Sequence, residues 1–148
     1  MPKFIADFFP NVANYWDIFL TALTATYQMF FIAGLITLLI GGAFGISLIV
    51  TKTDGIKPNR IIHFILEVIT NVFRAVPFII LLIFLIPLTR SIAGTSIGVK
   101  GAVVPLVFGA VPFYTRQVET ALADENQKKI EAARSMGSST LGIIFRVY

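Results

Sequence analysis

Glu67, Asn71 and Arg74 are the residues of this 148-residue chain whose types and spacing first suggest chemistry. They fall at i, i+4 and i+7, on one face of a helix, within a stretch from Ile61 to Leu88 that is otherwise largely apolar. A carboxylate, an amide and a guanidinium on one stripe can exchange hydrogen bonds or meet a polar solute. Ionisable groups at membrane depth face a bundle interior or a water-filled route. Two readings stand for this stripe: Asn71 and Arg74 line a route or the bundle interior, or the stripe is structural. As a helix, Ile61 to Leu88 measures about 42 Å, so its first turns reach the headgroup region, where Glu67 would be an ordinary surface group. Further along, Arg116 and Glu119 can pair at i, i+3, and Tyr114 and Gln117 beside them are further candidates for the route.

Other chemistries are excluded by composition. With no cysteine there is no disulfide, thiolate metal site or cysteine nucleophile, and the single histidine, His63, beside a basic linker, reads as an interfacial residue. No HExxH run, paired aspartates or Ser–His or Ser–Lys arrangement lies in an apolar stretch, so neither a catalytic residue nor a metal site is expected. No glycine-rich phosphate loop with a lysine is present, which assigns any ATP hydrolysis to another chain. The net charge of +4 does not point to nucleic acid, because the 12 basic residues lie between apolar segments and form no cationic face.

The elements that must position these residues follow from hydropathy. The chain is 56% hydrophobic and 14% charged, and residues 18 to 51 run for 34 positions without a charge. That is about 50 Å of helix against a hydrocarbon core of about 30 Å. The expected fold is all-α and polytopic, with spanning helices near 27–50, 61–88 and 99–122. Tyr15, Trp16 and Tyr27 are interfacial aromatics before the first span, and Trp16 to Thr26 begins its helix at the surface. The N-terminal segment, with Lys3 as its one basic residue and Asp7 and Pro10 interrupting it, does not read as a cleaved signal peptide. Ala33, Thr37, Gly41 and Gly45 recur every four residues and are assigned to close helix packing. Pro77 predicts a kink in the second span, and Pro105 and Pro112 predict irregularity in the third. Thr51–Arg60 and Thr89–Lys100 read as turn-like linkers. Basic residues flanking the spans favour an external N-terminus, with the first linker and the C-terminal segment cytoplasmic.

After Leu122 the chain turns hydrophilic. Asp124 or Asn126 is expected to cap a helix running to Met136, Gly137 to supply a left-handed residue, and Ser138 or Ser139 to cap a second helix holding Leu141 to Tyr148. Residues 124–148 thus form a cytoplasmic helix–elbow–helix whose Ala132, Ala133 and Gly137 let a partner approach closely.

Glu131-Ala132-Ala133, three residues, then Gly137 resembles the EAA loop of the membrane subunits of type I ABC importers. The family pattern continues after nine further residues with an isoleucine, one residue and Leu-Pro; here Val147 stands at that place, followed by Tyr148. Upstream, Phe73-Arg74-Ala75-Val76-Pro77-Phe78-Ile79-Ile80-Leu81-Leu82, Pro87-Leu88-Thr89-Arg90, Gly94-Thr95-Ser96-Ile97-Gly98 and Val104-Pro105-Leu106 are similar to the methionine-uptake branch. The resemblance implies a partial transmembrane domain over 1–148: a permease in the cell membrane, truncated after the first part of its EAA loop. It implies as partners a second permease copy, two cytoplasmic ATPase subunits and an external binding lipoprotein, with ATP and Mg on the ATPase and no cofactor on this chain. Glu131, Ala132, Ala133 and Gly137 would be the coupling residues. Glu131 would orient the elbow through hydrogen bonds or a cationic partner; its alternative is an intrahelical pair with Lys128 or Arg134, worth about 0.2–0.5 kcal/mol. Alternatives are a permease of the same type for another amino acid or an osmoprotectant, and a non-transporting membrane scaffold.

Overall fold

The computed structural model describes residues 9, 12, 14–123, 127–139 and 142–144, and every long element among them is helical. In chain order these are α1 (Trp16–Thr51), α2 (Arg60–Ala75), α3 (Phe78–Phe84), α4 (Ile86–Ala93), α5 (Gly98–Ala123) and α6 (Gln127–Ser135).

Helix α1 is 36 residues long and unbroken from Trp16, despite four glycines and six serine or threonine residues along it. In a bilayer no water competes for its backbone, so glycine does not open the helix. Thr21, Thr24, Thr26, Ser47 and Thr51 each donate a hydroxyl to the carbonyl four residues back at 2.6–2.8 Å, which hides their polarity inside the helix. The lipid-facing side is apolar, with Phe30, Phe31, Leu35, Leu38 and Leu39 exposed. The linker then folds back on the end of α1. The Lys57 amide donates to the Val50 carbonyl at 3.0 Å and the Asn59 amide to that of Thr51 at 2.9 Å. Gly55 is buried there, and a Cβ on it would lie 2.5 Å from the Ile49 and Val50 carbonyl oxygens.

Asn59 starts α2: its side-chain oxygen accepts from the amides of Ile61 and Ile62, both at 3.1 Å. Such caps contribute about 1 kcal/mol. Asn59→Ala is expected to speed hydrogen exchange at the Ile61 and Ile62 amides about fivefold; unchanged exchange would show that the cap holds nothing.

Residues 61–88, expected as a single kinked span, are instead divided into α2, α3 and the first turn of α4, with α2 and α3 bent by 103°. The cause is local. Pro77 lacks an N–H and excludes helical backbone at the preceding residue, and Val76 is accordingly extended (φ −82°, ψ 124°). A second proline, Pro87, sits in the first turn of α4, where it is tolerated. The expected linker Thr89–Lys100 is shorter than its composition suggests: residues 89–93 complete α4, which ends on the left-handed Gly94 (φ 73°). Helix α5 carries Pro105 and Pro112 without interruption, both buried, where irregularity was expected.

Among the described residues two helices are long and apolar enough to cross a membrane, or three if the bent pair counts as one span. Their packing favours three crossings. Gly41 lies against Val111 and Tyr114, and four residues on Gly45 lies against Thr115 and Val118, so α1 and α5 run parallel. Parallel spanning neighbours require the intervening chain to return across the bilayer. Helix α2 does run antiparallel to α5, with the Phe73 ring 5.6 Å from Phe108 and Asn71 hydrogen-bonded to Arg116.

Candidate translocation and coupling sites

The small-residue stripe sets the spacing of α1 and α5. Ala33, Thr37, Gly41 and Gly45 are all buried, and a Cβ on Gly45 would lie 2.6 Å from Val118 Cβ. Across this seam the buried Thr115 hydroxyl donates to the Gly41 carbonyl at 3.3 Å. The Tyr114 ring packs on the same seam, with Cδ1 2.9 Å from where a Gly41 Cβ would be. Tyr114 therefore serves packing here, while Gln117 is exposed.

Close to this seam α2 brings its polar stripe to α5. Arg116 donates to Glu119 Oε2 at 2.6 Å through Nη1, and through Nη2 to Asn71 Oδ1 at 2.9 Å and Glu67 Oε1 at 3.4 Å. His63 extends the chain of contacts to α1. Its Nδ1 donates to the Leu48 carbonyl at 3.1 Å, and its Nε2 lies 3.8 Å from Glu67 Oε2. One guanidinium thus ties two carboxylates and an amide from two helices, and an imidazole fastens the third. Paired in this way, the charges can stay in a low-dielectric surrounding. Glu67 and Asn71 are occupied by a structural tie.

Arg74, on the same α2 stripe, is left out of it. It is exposed, has no hydrogen-bond or ion-pair partner among the described residues, and lines a cavity of about 380 Å³ with Phe73, Pro77, Phe78 and Phe113. Another cavity, between α1, α2 and α5 and about 240 Å³, is lined among the described residues by apolar side chains such as Ile40, Phe44 and Phe108.

At the far end of the chain, α6 stops in a left-handed turn. Gly137 has φ 74°, the Met136 amide donates to the Ala132 carbonyl at 3.1 Å, and that of Ser138 to the Ala133 carbonyl at 3.0 Å. These bonds satisfy the orphan carbonyls of a helix end and need a residue free at positive φ. Ser139 then caps the next turn, its hydroxyl accepting from the Gly142 amide at 3.2 Å. The caps expected at Asp124 or Asn126 lie outside the described residues, as do the side chains of Lys128 and Arg134 that could pair with Glu131. The elbow has two faces. Ala133 and Ile143 are buried against each other and against Ile56 of the first linker. Glu131, Ala132 and Gly137 are exposed, and nothing among the described residues lies within 4 Å of a Cβ on Gly137.

The sequence showed the Arg116–Glu119 pair but neither the α2 partners of Arg116 nor the role of Ile56. Arg116 could be matched to Glu119 by spacing, but its α2 partners depend on how the helices pack. Ile56 sits in a polar linker and gave no signal beyond being its one large apolar residue.

Comparison with known proteins places this arrangement. The chain is 44% identical over 122 residues to the D-methionine transport system permease protein MetI of Yersinia pestis, covering 82% of this chain and 56% of that protein. It is 43% identical over 122 residues to the protein of the same name from Escherichia coli K12, again 82% and 56%. It therefore spans little more than half the length of these relatives. An inward-facing structure of the MetNI methionine ABC transporter superposes with a TM-score of 0.83 at 41% identity, over 86% of this chain and 59% of that one. Over residues 43–148, from the second half of α1 through the elbow, the sequence matches the family of binding-protein-dependent transport system inner membrane components, and the chain belongs to that family.

Proposed function

We propose that this chain is the permease subunit of an ATP-driven importer for methionine and close analogues. It would pair with a second permease copy, with two cytoplasmic ATPase subunits that carry ATP and Mg, and with an external binding lipoprotein. The observation that carries the proposal is the elbow: a short helix closed by Gly137 in left-handed backbone, with Ala133 held inward and Glu131, Ala132 and Gly137 presented outward. Such a rigid, small-residue surface suits insertion into a socket on an ATPase, whose closure can shift the permease only through contacts that differ between the two states. The naming of the relatives as methionine permeases supports the substrate. The external N-terminus draws support from Ile56, which places the first linker and the elbow, both assigned to the cytoplasm by their basic residues, on one side of the bundle.

Gly137→Asp tests the docking surface. Aspartate tolerates the left-handed region better than most residues, and among the described residues nothing crowds a Gly137 Cβ, so the turn survives while a charge is added to the outward face. Affinity purification of the chain from membranes with its ATPase should recover at least about tenfold less ATPase for the variant, equivalent to about 1.4 kcal/mol, at equal membrane insertion. Undiminished ATPase recovery would remove the elbow as the docking element.

A further inference from the structure

We infer that the break between α2 and α3 is a binding site for a zwitterionic amino acid, with Arg74 taking the carboxylate and the rings around it taking an apolar side chain. The inference rests on the permease reading and locates the substrate within it. Arg74 lies about 21 Å along α2 from Arg60 at 1.5 Å per residue, well into a hydrocarbon core of about 30 Å. A guanidinium at that depth calls for an anion, and the nearby carboxylates are already engaged: Glu67 and Glu119 both pair with Arg116. Arg74 has no partner of its own among the described residues.

The surroundings complement the rest of such a solute. The cavity of about 380 Å³ falls within the roughly 300–1,000 Å³ of small-molecule sites. Arg74 is its only ionisable lining residue among the described residues, and Phe73, Phe78 and Phe113 offer aromatic faces and edges suited to a thioether or alkyl chain. Gly109 of α5 admits the Phe78 ring, which lies 2.9 Å from where a Cβ would be. The same helix end also offers acceptors. Pro77 supplies no N–H, and Phe78 and Ile79 turn away into α3, so the carbonyls of Phe73, Arg74 and Ala75 receive no backbone hydrogen bond from beyond the helix among the described residues. Orphan carbonyls at a helix C-terminus carry partial negative charge and favour an ammonium group. A helix broken within the membrane therefore presents a cation and a set of acceptors at one place, matching the two charges of an amino acid.

The absence of native cysteine makes the test direct. Val76→Cys places one thiol in the cavity lining, and its rate of reaction with a membrane-permeant maleimide is followed in membranes containing the chain and its ATPase. L-methionine should slow labelling at least about fivefold and L-methioninamide should not; Arg74→Gln should abolish the protection and Arg74→Lys should retain part of it. A second reporter, Leu81→Cys, repeats the measurement from α3. Absence of protection by methionine at both reporters, equal protection by the amide, or protection that survives Arg74→Gln would each overturn the site. ATP-driven methionine uptake by the same membranes, supplied with the binding lipoprotein, separates the two levels: uptake without protection leaves the permease reading standing and removes this site, whereas absence of both uptake and ATPase capture removes the permease reading as well.

Discussion

Arg116→Leu is expected to lower the Tm of the detergent-purified chain by roughly 6–12 °C. The substitution keeps the apolar stem but leaves Glu67 and Glu119 facing each other's field without the guanidinium that holds them 3.4 and 2.6 Å away. Removing one partner of a buried charge pair costs about 3–5 kcal/mol. Because the Glu67 side chain is 42% exposed, the lower end, about 3 kcal/mol, is appropriate, and about 2–4 °C per kcal/mol applies to a chain of this length. Arg116→Lys should lie between, since an ammonium keeps the charge but cannot address Glu119 and Asn71 with a planar fork. Combining Arg116→Leu with Glu67→Gln and Glu119→Gln should recover part of the loss, because the cost lies in the abandoned carboxylates rather than in the missing bonds. A melting curve for Arg116→Leu within 2 °C of the parent would show that the tie contributes nothing.

The second large effect is expected at Gly45. A methyl group there would lie 2.6 Å from Val118 Cβ and 2.9 Å from the Thr115 carbonyl oxygen, and neither can swing away, since one is the branch point of a stiff side chain and the other is backbone. Gly45→Ala must therefore push α1 from α5, stretching the Thr115–Gly41 hydrogen bond in the same seam. Overpacking of this kind costs about 1–3 kcal/mol. Gly34→Ala is the control: nothing lies within 4 Å of its Cβ, so the ordinary helix preference for alanine should leave stability unchanged or raised by up to about 1 kcal/mol. Val118→Ala should not rescue Gly45→Ala, because the clash is with Cβ itself, whereas Val118→Gly should in part. Equal melting temperatures for Gly34→Ala and Gly45→Ala would show that the seam is not close-packed in the membrane.

The helices that hold these residues were legible because the signals are local. Charge-free length exposes α1, the four-residue recurrence of Ala33, Thr37, Gly41 and Gly45 exposes its packing face, and Glu131, the alanines and Gly137 expose the elbow. Pro77 announced a bend, but its size did not follow, since a proline requires only that the preceding residue leave the helical region and the remaining geometry is set by what α3 packs against. For the same reason the polar stripe of α2 was visible while its sorting was not. Which of Glu67, Asn71 and Arg74 meets Arg116 depends on the offset of α2 along α5, and no pattern within either helix encodes it. Tyr114, a candidate for the route, went to the Gly41 seam because a glycine on α1 gave its ring somewhere to pack.

The cluster of Ile56, Ala133 and Ile143 alters how force would pass through the molecule. An elbow hung from α5 alone would swivel on its tether when pushed, and the push would be dissipated locally. Held also by Ile56, it has two points of attachment, one below each of the parallel helices, and a two-point mount transmits torque. A displacement of the elbow must then drag the linker that is hydrogen-bonded to the end of α1 at Val50 and Thr51, and with it the turn whose Leu48 carbonyl holds His63. Stiffness at one alanine-sized joint would decide whether a stroke delivered at the surface reaches the interior as a rotation of the bundle or is lost as slack.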